Sequence, residues 1–556
     1  MDPSRRKGCL EGTRTDILNF IINWVSDTTC TQNVLWLHGL AGSGKSTIST
    51  TIANHFRESH QLGAFLFFNR DVTERSDPTL VVRTLAWQLG SFHPQIGELI
   101  SAVIESAIPI VLSPIPFQFQ RLLVSPLSSA LPLTETSHIV VVLDALDECS
   151  TPEDRQTLVN TLAENFSQFP PIYRIIITSR ADADLRDAFQ SHPHILDKEL
   201  DIATAVTSHD ISSYLRHHMA LICAKKRYLG TDWPGENNIQ DLTKRASGLF
   251  VWASTALRFI DGHDPRKRLD IILKPGGSTT SGAESALDSL YQTALESVGL
   301  WDDDDFLTDF RAILGMVLVL RNPLSSTAID ALLCTPDGRP SISTITHLGC
   351  VLTPTPTVRI IHPSFADFLS TRSRCGRDIW YFQKLSHNRT LAVHCLHHLD
   401  GILRQNICNM TLSVDLENES LPEDVAYACM FWIEHISFIK DDIPSIKDHL
   451  ETFLNRHLLH WLEAMSILRA RDITAQLNHL LDWINVSVSP FCLGAATTYW
   501  FLAGTLFRSQ QPRRAGRRCN SIYSAIWRVH RGTPLISVPC CTAIYPRQHG
   551  NTSEVS

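Results

Sequence analysis

The sequence predicts an α/β fold, in which a parallel sheet lies between helices, followed by regions that are almost entirely helical. Short, continuous apolar runs alternate with segments of helical periodicity through residues 34–200, and strand patterns nearly vanish after Asp210. Continuous apolar runs are typical of parallel strands, because helices cover both faces of such a sheet. The repeated strand–helix order adds the expectation of right-handed crossovers.

Each element of the predicted sheet can be placed on the sequence. The four runs rich in β-branched or aromatic residues are 34–38, 63–68, 139–143 and 174–178. The intervening segments predicted as helices are 46–59, 78–89 and 152–166. The last two follow residues that favour a helix N-terminus, Asp77 and Thr151, and both begin with proline.

The later part of the chain is predicted to be helical apart from one small hairpin. The helical patterns are 210–225, 239–260, 283–298, 306–320 and 325–333. Two short strands, around 349–352 and 358–361, follow the last of them, and this order indicates a winged-helix module. The acidic run 302–305 is predicted to cap the next helix rather than to bind metal, because aspartate suits a helix N-terminus.

Composition excludes several classes of protein. With 556 residues, 44% of them hydrophobic, the chain can bury sizeable cores and is neither intrinsically disordered nor a disulfide scaffold. A net charge of −8 argues against binding to nucleic acid through bulk positive charge, so no nucleic-acid partner is expected. The 14 cysteines include no CxxC pair, which indicates reduced thiols and a cytoplasmic location.

Two C-terminal segments leave alternatives open. The uncharged segment 483–507 is long enough to cross a membrane and is followed by arginines, but it contains Asn485 and Pro490. A buried or fraying helix is therefore favoured over a membrane span. The arginine-rich tail from Arg508 onward is predicted to be disordered, with binding to anionic lipid or nucleic acid as the alternative.

A phosphate-binding motif lies between the first predicted strand and the next helix. Residues 39–46, Gly-Leu-Ala-Gly-Ser-Gly-Lys-Ser, fit the pattern GxxxxGK[ST]. Its glycines let successive backbone N–H groups surround a phosphate, while Lys45 neutralises the β- and γ-phosphates and the Ser46 hydroxyl ligates Mg²⁺. The predicted nucleotide-binding residues are Gly39, Gly42, Ser43, Gly44, Lys45, Ser46 and Thr47.

Acidic residues follow the third predicted strand. Asp144 comes directly after the apolar run 139–143, at the edge of the sheet where open α/β folds bind ligands. We expect Asp144 to hold Mg²⁺ together with Ser46, and Asp147 or Glu148 to orient or deprotonate an attacking water. An acidic turn that caps the next helix would explain one of these acids but not three within five residues.

An arginine ends the fourth predicted strand. Arg180 lies level with the phosphates in the predicted sheet and is a candidate to sense a γ-phosphate through charge-assisted hydrogen bonds. A surface salt bridge is the competing interpretation. Arg70, which follows the second strand, is a weaker candidate for the same role.

These residues together resemble the NACHT family of signal-transducing P-loop NTPases, which includes fungal NOD-like-receptor-type and nephrocystin-type proteins. The resemblance depends on the form of the acidic segment 144–148, in which the Mg²⁺ aspartate is followed by a small residue and, two positions after that residue, by paired acids. It depends also on the lead-in Cys-Leu-Glu-Gly-Thr-Arg (9–14). It continues through residues 67–71, 248–253 and 362–369 and covers roughly residues 9–490.

The resemblance implies a domain order and one further site residue. The implied domains are a lead-in helix near the adenine (1–32), the P-loop NTPase core (33–205), a helical domain (206–300), a winged-helix domain (301–375), a C-terminal helical region (376–507) and the basic tail (508–556). In the family, the histidine at the position of His362 reaches the β-phosphate of ADP. The alternative is a histidine that packs beside Phe365 and supports the local fold.

The function that the resemblance implies is an ATP/ADP-dependent switch. Slow Mg²⁺-dependent hydrolysis would accompany conformational change, homo-oligomerisation or association with related NACHT proteins. A non-catalytic regulator, or a truncated decoy that associates with full-length relatives, is the alternative. Family members usually carry effector and sensor regions that this sequence does not show, so both a truncated product and a reduced regulator stay open.

Overall fold

The computed structural model describes most of the chain. The described residues are 6–106, 110–130, 138–274, 282–333, 339–408, 420–440, 443–470 and 473–487. They form two compact units, one up to His394 and the other from Cys395. The predicted domain boundaries within these units remain predictions.

A five-stranded parallel sheet forms the centre of the first unit. Its strands are β1 (Val34–His38), β2 (Leu62–Phe67), β3 (Ile139–Asp144), β4 (Tyr173–Ser179) and β5 (Ile195–Glu199). Their order across the sheet is β2-β3-β4-β1-β5, and every neighbouring pair is parallel. The central strands β1, β3 and β4 are buried along their whole length, as continuous apolar runs predict.

Helices cover both faces of this sheet, which confirms the predicted α/β class. The helices of this part are α1 (Thr15–Ser26), α2 (Lys45–Glu58), α3 (Thr73–Ser76), α4 (Val81–Phe92), α5 (Pro94–Ser106), α6 (Ile115–Phe119), α7 (Ser125–Ser129), α8 (Pro152–Asn165) and α9 (Ala183–Phe189). Residues of α1 and α2 pack with Leu35 and Leu37 on one face. Residues of α4, α5 and α8 pack with Val34 and Trp36 on the other face.

Helices follow the sheet in the order expected. They are α10 (Ala205–Lys225), α11 (Glu236–Ala246), α12 (Phe250–Ile260), α13 (Pro265–Leu273) and α14 (Ala283–Val298). The single helix predicted over 239–260 is wrong, because the chain breaks between α11 and α12. Gly248 has a φ of +81°, and a Cβ at this position would lie 2.2 Å from the Ile202 carbonyl oxygen. The break therefore brings this backbone against the end of the sheet domain.

The rest of the first unit contains the predicted hairpin. Its elements are α15 (Asp304–Val317), α16 (Ser326–Leu333), α17 (Ser341–His347), the antiparallel strands β6 (Leu352–Thr353) and β7 (Arg359–Ile360), α18 (Pro363–Ser370) and α19 (Arg372–Cys375). Asp303 caps α15 by accepting hydrogen bonds from the backbone of Asp305 and Phe306, as the acidic run predicted. The winged-helix assignment itself remains a prediction.

The second unit is helical where it is described. The helices from the boundary onward are α20 (Lys384–Ile402), which contains the boundary, α21 (Glu423–Ser437), α22 (Pro444–Arg456), α23 (Leu458–Ile467) and α24 (Ile473–Ser487). Trp432 and Trp461 meet edge to face in its core, with ring centroids 5.7 Å apart. No helix within the described residues has the length and apolarity to cross a membrane. Most of the candidate segment 483–507, and the whole basic tail, lie outside the described residues.

Candidate functional site

A cavity of about 410 Å³ lies at the carboxyl edge of the sheet in the first unit. This volume falls in the range of small-molecule sites. The predicted residues that line it are Gly42, Gly44, Lys45, Ser46, Thr47, Asp147, Glu148, Arg180 and His362. Gly39, Ser43 and Asp144 are not among the lining residues of this described cavity, and the side chains of Ser43 and Asp144 are fully buried.

The turn between β1 and α2 has the backbone that a phosphate-binding loop needs. Gly42 and Gly44 adopt left-handed conformations, with φ of +79° and +99°, which other residues rarely adopt. Helix α2 begins at Lys45, so its first backbone N–H groups have no partner within the helix. The turn and the helix N-terminus together fit an anionic phosphate.

The Lys45 side chain curls over this turn. Its Nζ donates hydrogen bonds to the carbonyl oxygens of Gly39 and Leu40, at 2.7 and 2.9 Å. Burial lowers the pKa of Lys45 to about 8, and the nearby Asp147 carboxylate opposes that shift. The ammonium group is therefore buried beside two neutral oxygens, an environment in which a phosphate would be a stronger partner.

Helix α12 packs directly against the phosphate-binding turn. The Val251 N–H donates to the Gly42 carbonyl oxygen at 3.1 Å. A Cβ at Gly42 would lie only 2.0 Å from Val251 Cγ1, so no other residue fits here without moving the helix. The segment 248–253, which carried part of the family resemblance, thus contacts the turn through its backbone.

Arg14 connects three parts of the site, a role that sequence reasoning did not assign to it. Its Nη2 donates to the Ser43 carbonyl oxygen at 2.6 Å, and its Nη1 donates to Thr207 Oγ1 at 3.0 Å. Its backbone N–H donates to Asp210 Oδ2 at 2.9 Å, and its guanidinium lies over the Phe250 ring. The signal for this residue was its place in the lead-in motif 9–14.

Asp144 is fully buried at the end of β3 and already has two partners. Its Oδ1 accepts a hydrogen bond from Thr178 Oγ1 at 2.7 Å, and its Oδ2 accepts one from Arg6 Nη1 at 2.6 Å. The Arg6 guanidinium also lies over the Phe67 ring, with 4.5 Å to the centroid. Nothing in the sequence pattern pointed to Arg6.

The residues predicted to bind Mg²⁺ have suitable ligand atoms, but their present contacts would have to change before the ion could bind. Ser46 and Asp144 offer the oxygen ligands that Mg²⁺ prefers. Arg6 neutralises the Asp144 carboxylate in this structure, so the ion would have to displace or share it. Within the described part of the chain, no group of three or more His, Cys, Asp or Glu side chains could hold a metal. Bound phosphate and water would therefore have to supply most of its ligands.

The turn after Asp144 is fixed by two arginines. Asp147 accepts a hydrogen bond from the Arg180 backbone at 3.0 Å and pairs with Arg180 Nε at 3.2 Å. Arg155 donates to the Asp147 carbonyl oxygen at 2.6 Å while its own charge pairs with Asp182 and Asp184. Arg155 is 1% exposed and is a support for the site that the motifs did not reveal.

Glu148 differs from Asp147 in its electrostatics. Burial raises the pKa of Glu148 to about 7, although the Arg70 charge acts to lower it. A carboxyl group with a pKa near neutrality is suited to accept a proton from water. Of the two predicted acids, Glu148 therefore fits a general base better, while Asp147 is held by its ion pair.

Both candidate arginines, Arg180 and Arg70, form ion pairs with Asp367 of α18. We call these two ion pairs the Asp367 bridge. Arg180 Nη1 lies 2.8 Å from Asp367 Oδ2, and Arg70 Nη1 lies 3.1 Å from Asp367 Oδ1. Although burial acts to raise it, the charges of Arg180 and Arg70 hold the pKa of Asp367 below its usual value. Asp367 lies within the motif 362–369, but the sequence assigned it no role.

His362 lies at the start of α18 and lines the same cavity. Its Nδ1 accepts a hydrogen bond from the Ser364 backbone at 3.2 Å, which caps the helix. Burial, followed by the positive charges of Arg180 and Lys45, lowers the pKa of His362 to about 3. The imidazole is therefore neutral near pH 7. Its role toward a phosphate remains a prediction.

Comparison with known protein families and curated proteins supports the resemblance drawn from these motifs. Residues 12–180 match the family model described as "Nephrocystin 3, N-terminal". The chain is also 24% identical, over 520 residues, to vegetative incompatibility protein HET-E-1 of Podospora anserina. That alignment covers 84% of this chain but only 36% of the relative, so the chain spans about a third of that protein. These matches confirm the predicted resemblance.

Two solved structures overlap the chain at low similarity. A STAND (Signal Transduction ATPase with Numerous Domains) protein with a tetratricopeptide repeat sensor, from Pyrococcus horikoshii, aligns with a TM-score of 0.44 and 13% identity, over 95% of this chain and 63% of its own. Drosophila ORC bound to DNA aligns with a TM-score of 0.25 and 13% identity, over 86% and 72% of the two chains. Neither TM-score is high enough to support an inference.

Proposed function

We propose that this chain, whose residues 12–180 match the nephrocystin 3 N-terminal family model, is a signalling switch controlled by ADP and ATP. The observation that supports it best is the composition of one cavity. Lys45 and Ser46 of the phosphate-binding turn lie in the same 410 Å³ space as Arg180 and as His362. Because His362 is far from the other three residues in the sequence, a movement of the segment that carries His362 would change the shape of the cavity.

Different residues of the cavity lining would contact different parts of the nucleotide. The turn 39–46 and Lys45 would hold the phosphates, and the lead-in residues 9–14 would lie near the base. His362 would approach the β-phosphate of ADP from α18. In the ADP form Arg180 would stay in the Asp367 bridge, whereas the γ-phosphate of ATP would compete with Asp367 for Arg180.

Hydrolysis would return the switch to its ADP form. Mg²⁺, when bound by Ser46 and Asp144, would neutralise charge on the phosphates. Glu148 would accept a proton from the attacking water, and Asp147 would keep Arg180 in position. We further propose that loss of the α18 contacts leads to homo-oligomerisation or association with related NACHT proteins in the cytoplasm.

A second candidate is a non-catalytic nucleotide-binding regulator. The observation that favours it is the pairing of two acids of the site with the chain's own cations. Arg6 neutralises Asp144, and Arg180 pairs with Asp147. If these pairs persist with nucleotide bound, the protein would bind ADP or ATP without turnover.

The nucleotide that remains bound after purification tests the proposal. We expect the wild-type chain to retain ADP or ATP, identified by chromatography after denaturation. Lys45→Ala should weaken binding at least about tenfold, because a charge-assisted contact is lost. Lys244→Ala is the matched control, since Lys244 is an exposed lysine that pairs with Asp241 at 3.5 Å. Unchanged affinity in Lys45→Ala would contradict the site.

The two candidate functions separate in a second measurement. Turnover per site, measured with and without Mg²⁺, should be slow but Mg²⁺-dependent for a switch that resets. Binding without any turnover would instead support the non-catalytic regulator. Size-exclusion chromatography in ADP and in a non-hydrolysable ATP analogue would show whether assembly follows the nucleotide state.

A further inference from the structure

A buried chain of hydrogen bonds runs from α14 to His362. Tyr291 Oη lies 2.8 Å from Ser364 Oγ, and Ser364 Oγ lies 2.7 Å from His362 Nδ1. Tyr291 is 1% exposed and Ser364 is 2% exposed, so water does not compete for these groups. Such buried polar groups are normally retained only when they are fully partnered.

We propose that Tyr291 and Ser364 are positioning residues that hold His362 as a neutral donor, with its Nε2–H presented to the β-phosphate of ADP. This inference rests on the proposed function and names how the site would favour ADP.

The direction of each hydrogen bond follows from the atoms involved. The Ser364 backbone N–H can only donate, so His362 Nδ1 must accept and carries no proton. In a neutral imidazole the single proton then lies on Nε2. Since the Ser364 hydroxyl donates its one hydrogen to Nδ1, it accepts from Tyr291, and both the tautomer and the orientation of the ring are fixed.

The surroundings of His362 keep the imidazole neutral. The charged groups that act on it are Arg180, Lys45, Asp367 and Arg70, three of them cationic. A protonated imidazole beside these cations would be unfavourable. Its N–H can nevertheless donate to a phosphate oxygen without carrying a charge.

The Tyr291 chain also reaches the helix that contacts the phosphate-binding turn. Burial raises the pKa of Tyr291, and the Thr255 side chain of α12, which lies near the Tyr291 hydroxyl, acts to lower it. Val251 of the same helix contacts Gly42. Tyr291 additionally packs against Phe365, with ring centroids 5.0 Å apart. The orientation of His362 therefore depends on α12, α14 and α18 keeping their present arrangement.

Tyr291→Phe tests the proposal because it removes only the hydroxyl. We expect ADP to dissociate about threefold to tenfold faster, with little change for ATP, because one oriented hydrogen bond is weakened. Tyr173→Phe is the matched control. Tyr173 is a buried tyrosine whose hydroxyl has no hydrogen-bond partner among the described residues. Dissociation rates of fluorescent ADP and ATP analogues supply the readout.

Two further variants separate positioning from packing. Ser364→Ala removes the hydroxyl but keeps the backbone donor, and should have the same selective effect on ADP. In a His362→Ala background, Tyr291→Phe should have no additional effect on ADP dissociation. Proton–nitrogen correlation spectra, with the His362 signals identified by His362→Gln, should show Nε2–H in the wild type. In Tyr291→Phe the Ser364 backbone N–H still keeps the proton on Nε2, but the Nδ1 chemical shift should change because the Ser364 hydroxyl has lost its partner.

The outcomes distinguish this inference from the proposed function. If Tyr291→Phe lowers thermal stability but leaves the ADP and ATP rates in the wild-type ratio, Tyr291 only supports packing and the proposal is overturned. If Lys45→Ala abolishes binding while His362→Ala leaves ADP binding unchanged, the positioning role fails and the nucleotide site stands. If the wild-type chain binds no ADP, both fail together.

Discussion

Asp367 Oδ2 accepts a hydrogen bond from Arg180 Nη1 at 2.8 Å, although the two residues are 187 positions apart in the sequence. Arg180 directly follows β4, and Asp367 belongs to α18. The same carboxylate also binds Arg70, which follows β2. One acid thus ties the predicted phosphate-sensing arginines of the sheet to the segment that carries His362.

Asp367→Asn should shift the nucleotide preference of the protein away from ADP. The amide cannot neutralise Arg180 and Arg70, so both become available to a γ-phosphate. Charge-assisted contacts are worth ~1.5–3 kcal/mol when buried, but these groups are partly exposed, so we expect about a fivefold change in the ADP/ATP affinity ratio. Calorimetric titration with each nucleotide measures it.

Asp378→Asn is the control for that substitution. It removes the same charge from an exposed ion pair with Arg372, in which the aspartate side chain is 76% exposed. Equal ratios in both variants would show that the Asp367 bridge has no part in nucleotide preference.

Glu148→Gln should preserve nucleotide binding and lower hydrolysis about 10²–10⁴-fold, because the amide cannot accept a proton. In the wild type, kcat/KM should rise with pH through about 7, the value to which burial raises the pKa of Glu148. The variant should lose this rise. Should Asp147→Asn stop turnover while Glu148→Gln does not, the roles of the two acids are exchanged.

The same pKa predicts a trend in stability. Folding raises the pKa of Glu148 from 4.5 to about 7, so within this window the folded state binds more protons than the unfolded state. The free energy of unfolding contributed by this group therefore falls as pH rises through the window. Glu148→Gln should flatten that dependence in denaturant titrations.

Arg6→Ala should lower the Mg²⁺ concentration required for nucleotide binding and hydrolysis. Its guanidinium now neutralises the buried Asp144 carboxylate, and removing it leaves a charge that a divalent ion can satisfy. We expect the half-saturating Mg²⁺ concentration to fall about threefold to tenfold. Arg57→Ala removes one positive charge from an exposed site that hydrogen-bonds Asn54. A Mg²⁺ requirement that is the same in both variants would exclude competition between Arg6 and the ion.

Gly42→Ala should destabilise the protein more than Gly230→Ala. Both glycines have left-handed φ values, +79° and +83°, but only at Gly42 would the new Cβ meet a neighbour, Val251 Cγ1 at 2.0 Å. The shared backbone strain costs ~1–2 kcal/mol, and the clash adds ~1–3 kcal/mol at Gly42 alone. Denaturant midpoints compare the two. Adding Val251→Ala should recover only part of the excess cost, because the Cβ of residue 251 would still lie 2.6 Å from the new Cβ. An equal loss in both glycine variants would contradict the close packing.

The sequence predicted four strands of the sheet and missed the fifth, β5, which lies at one edge. The apolar runs predicted at 139–143 and 174–178 correspond to β3 and β4, with small differences at their ends. A short, continuous apolar run is typical of a strand that helices cover on both faces. The edge strand β5 was not predicted, since Asp197, Lys198 and Glu199 give it a polar pattern. Only the first residue of β5, Ile195, is buried, so its apolar signal is weaker than that of β2 at the opposite edge.

In the candidate site, too, some residues could be predicted from the sequence and others could not. The turn 39–46 and the acids after β3 follow from local chemistry, so their motifs identified the part of the cavity lining that contains Lys45, Asp147 and Glu148. Arg6, Arg155 and Asp367 act through partners far away in the chain, and their sequence surroundings carry no pattern that specifies those partners. Long-range ion pairs depend on the tertiary fold and leave no trace in periodicity or spacing.

The contact between Gly42 and Val251 has a kinetic consequence. The Val251 N–H donates a hydrogen bond to the Gly42 carbonyl oxygen, and the two residues leave no space for a side chain between them. Helix α12 therefore cannot move unless the phosphate-binding turn 39–46 moves with it. Nucleotide release and the movement of α12 would then share one free-energy barrier. A probe on α12 and the fluorescence of a departing nucleotide should relax with a common time constant.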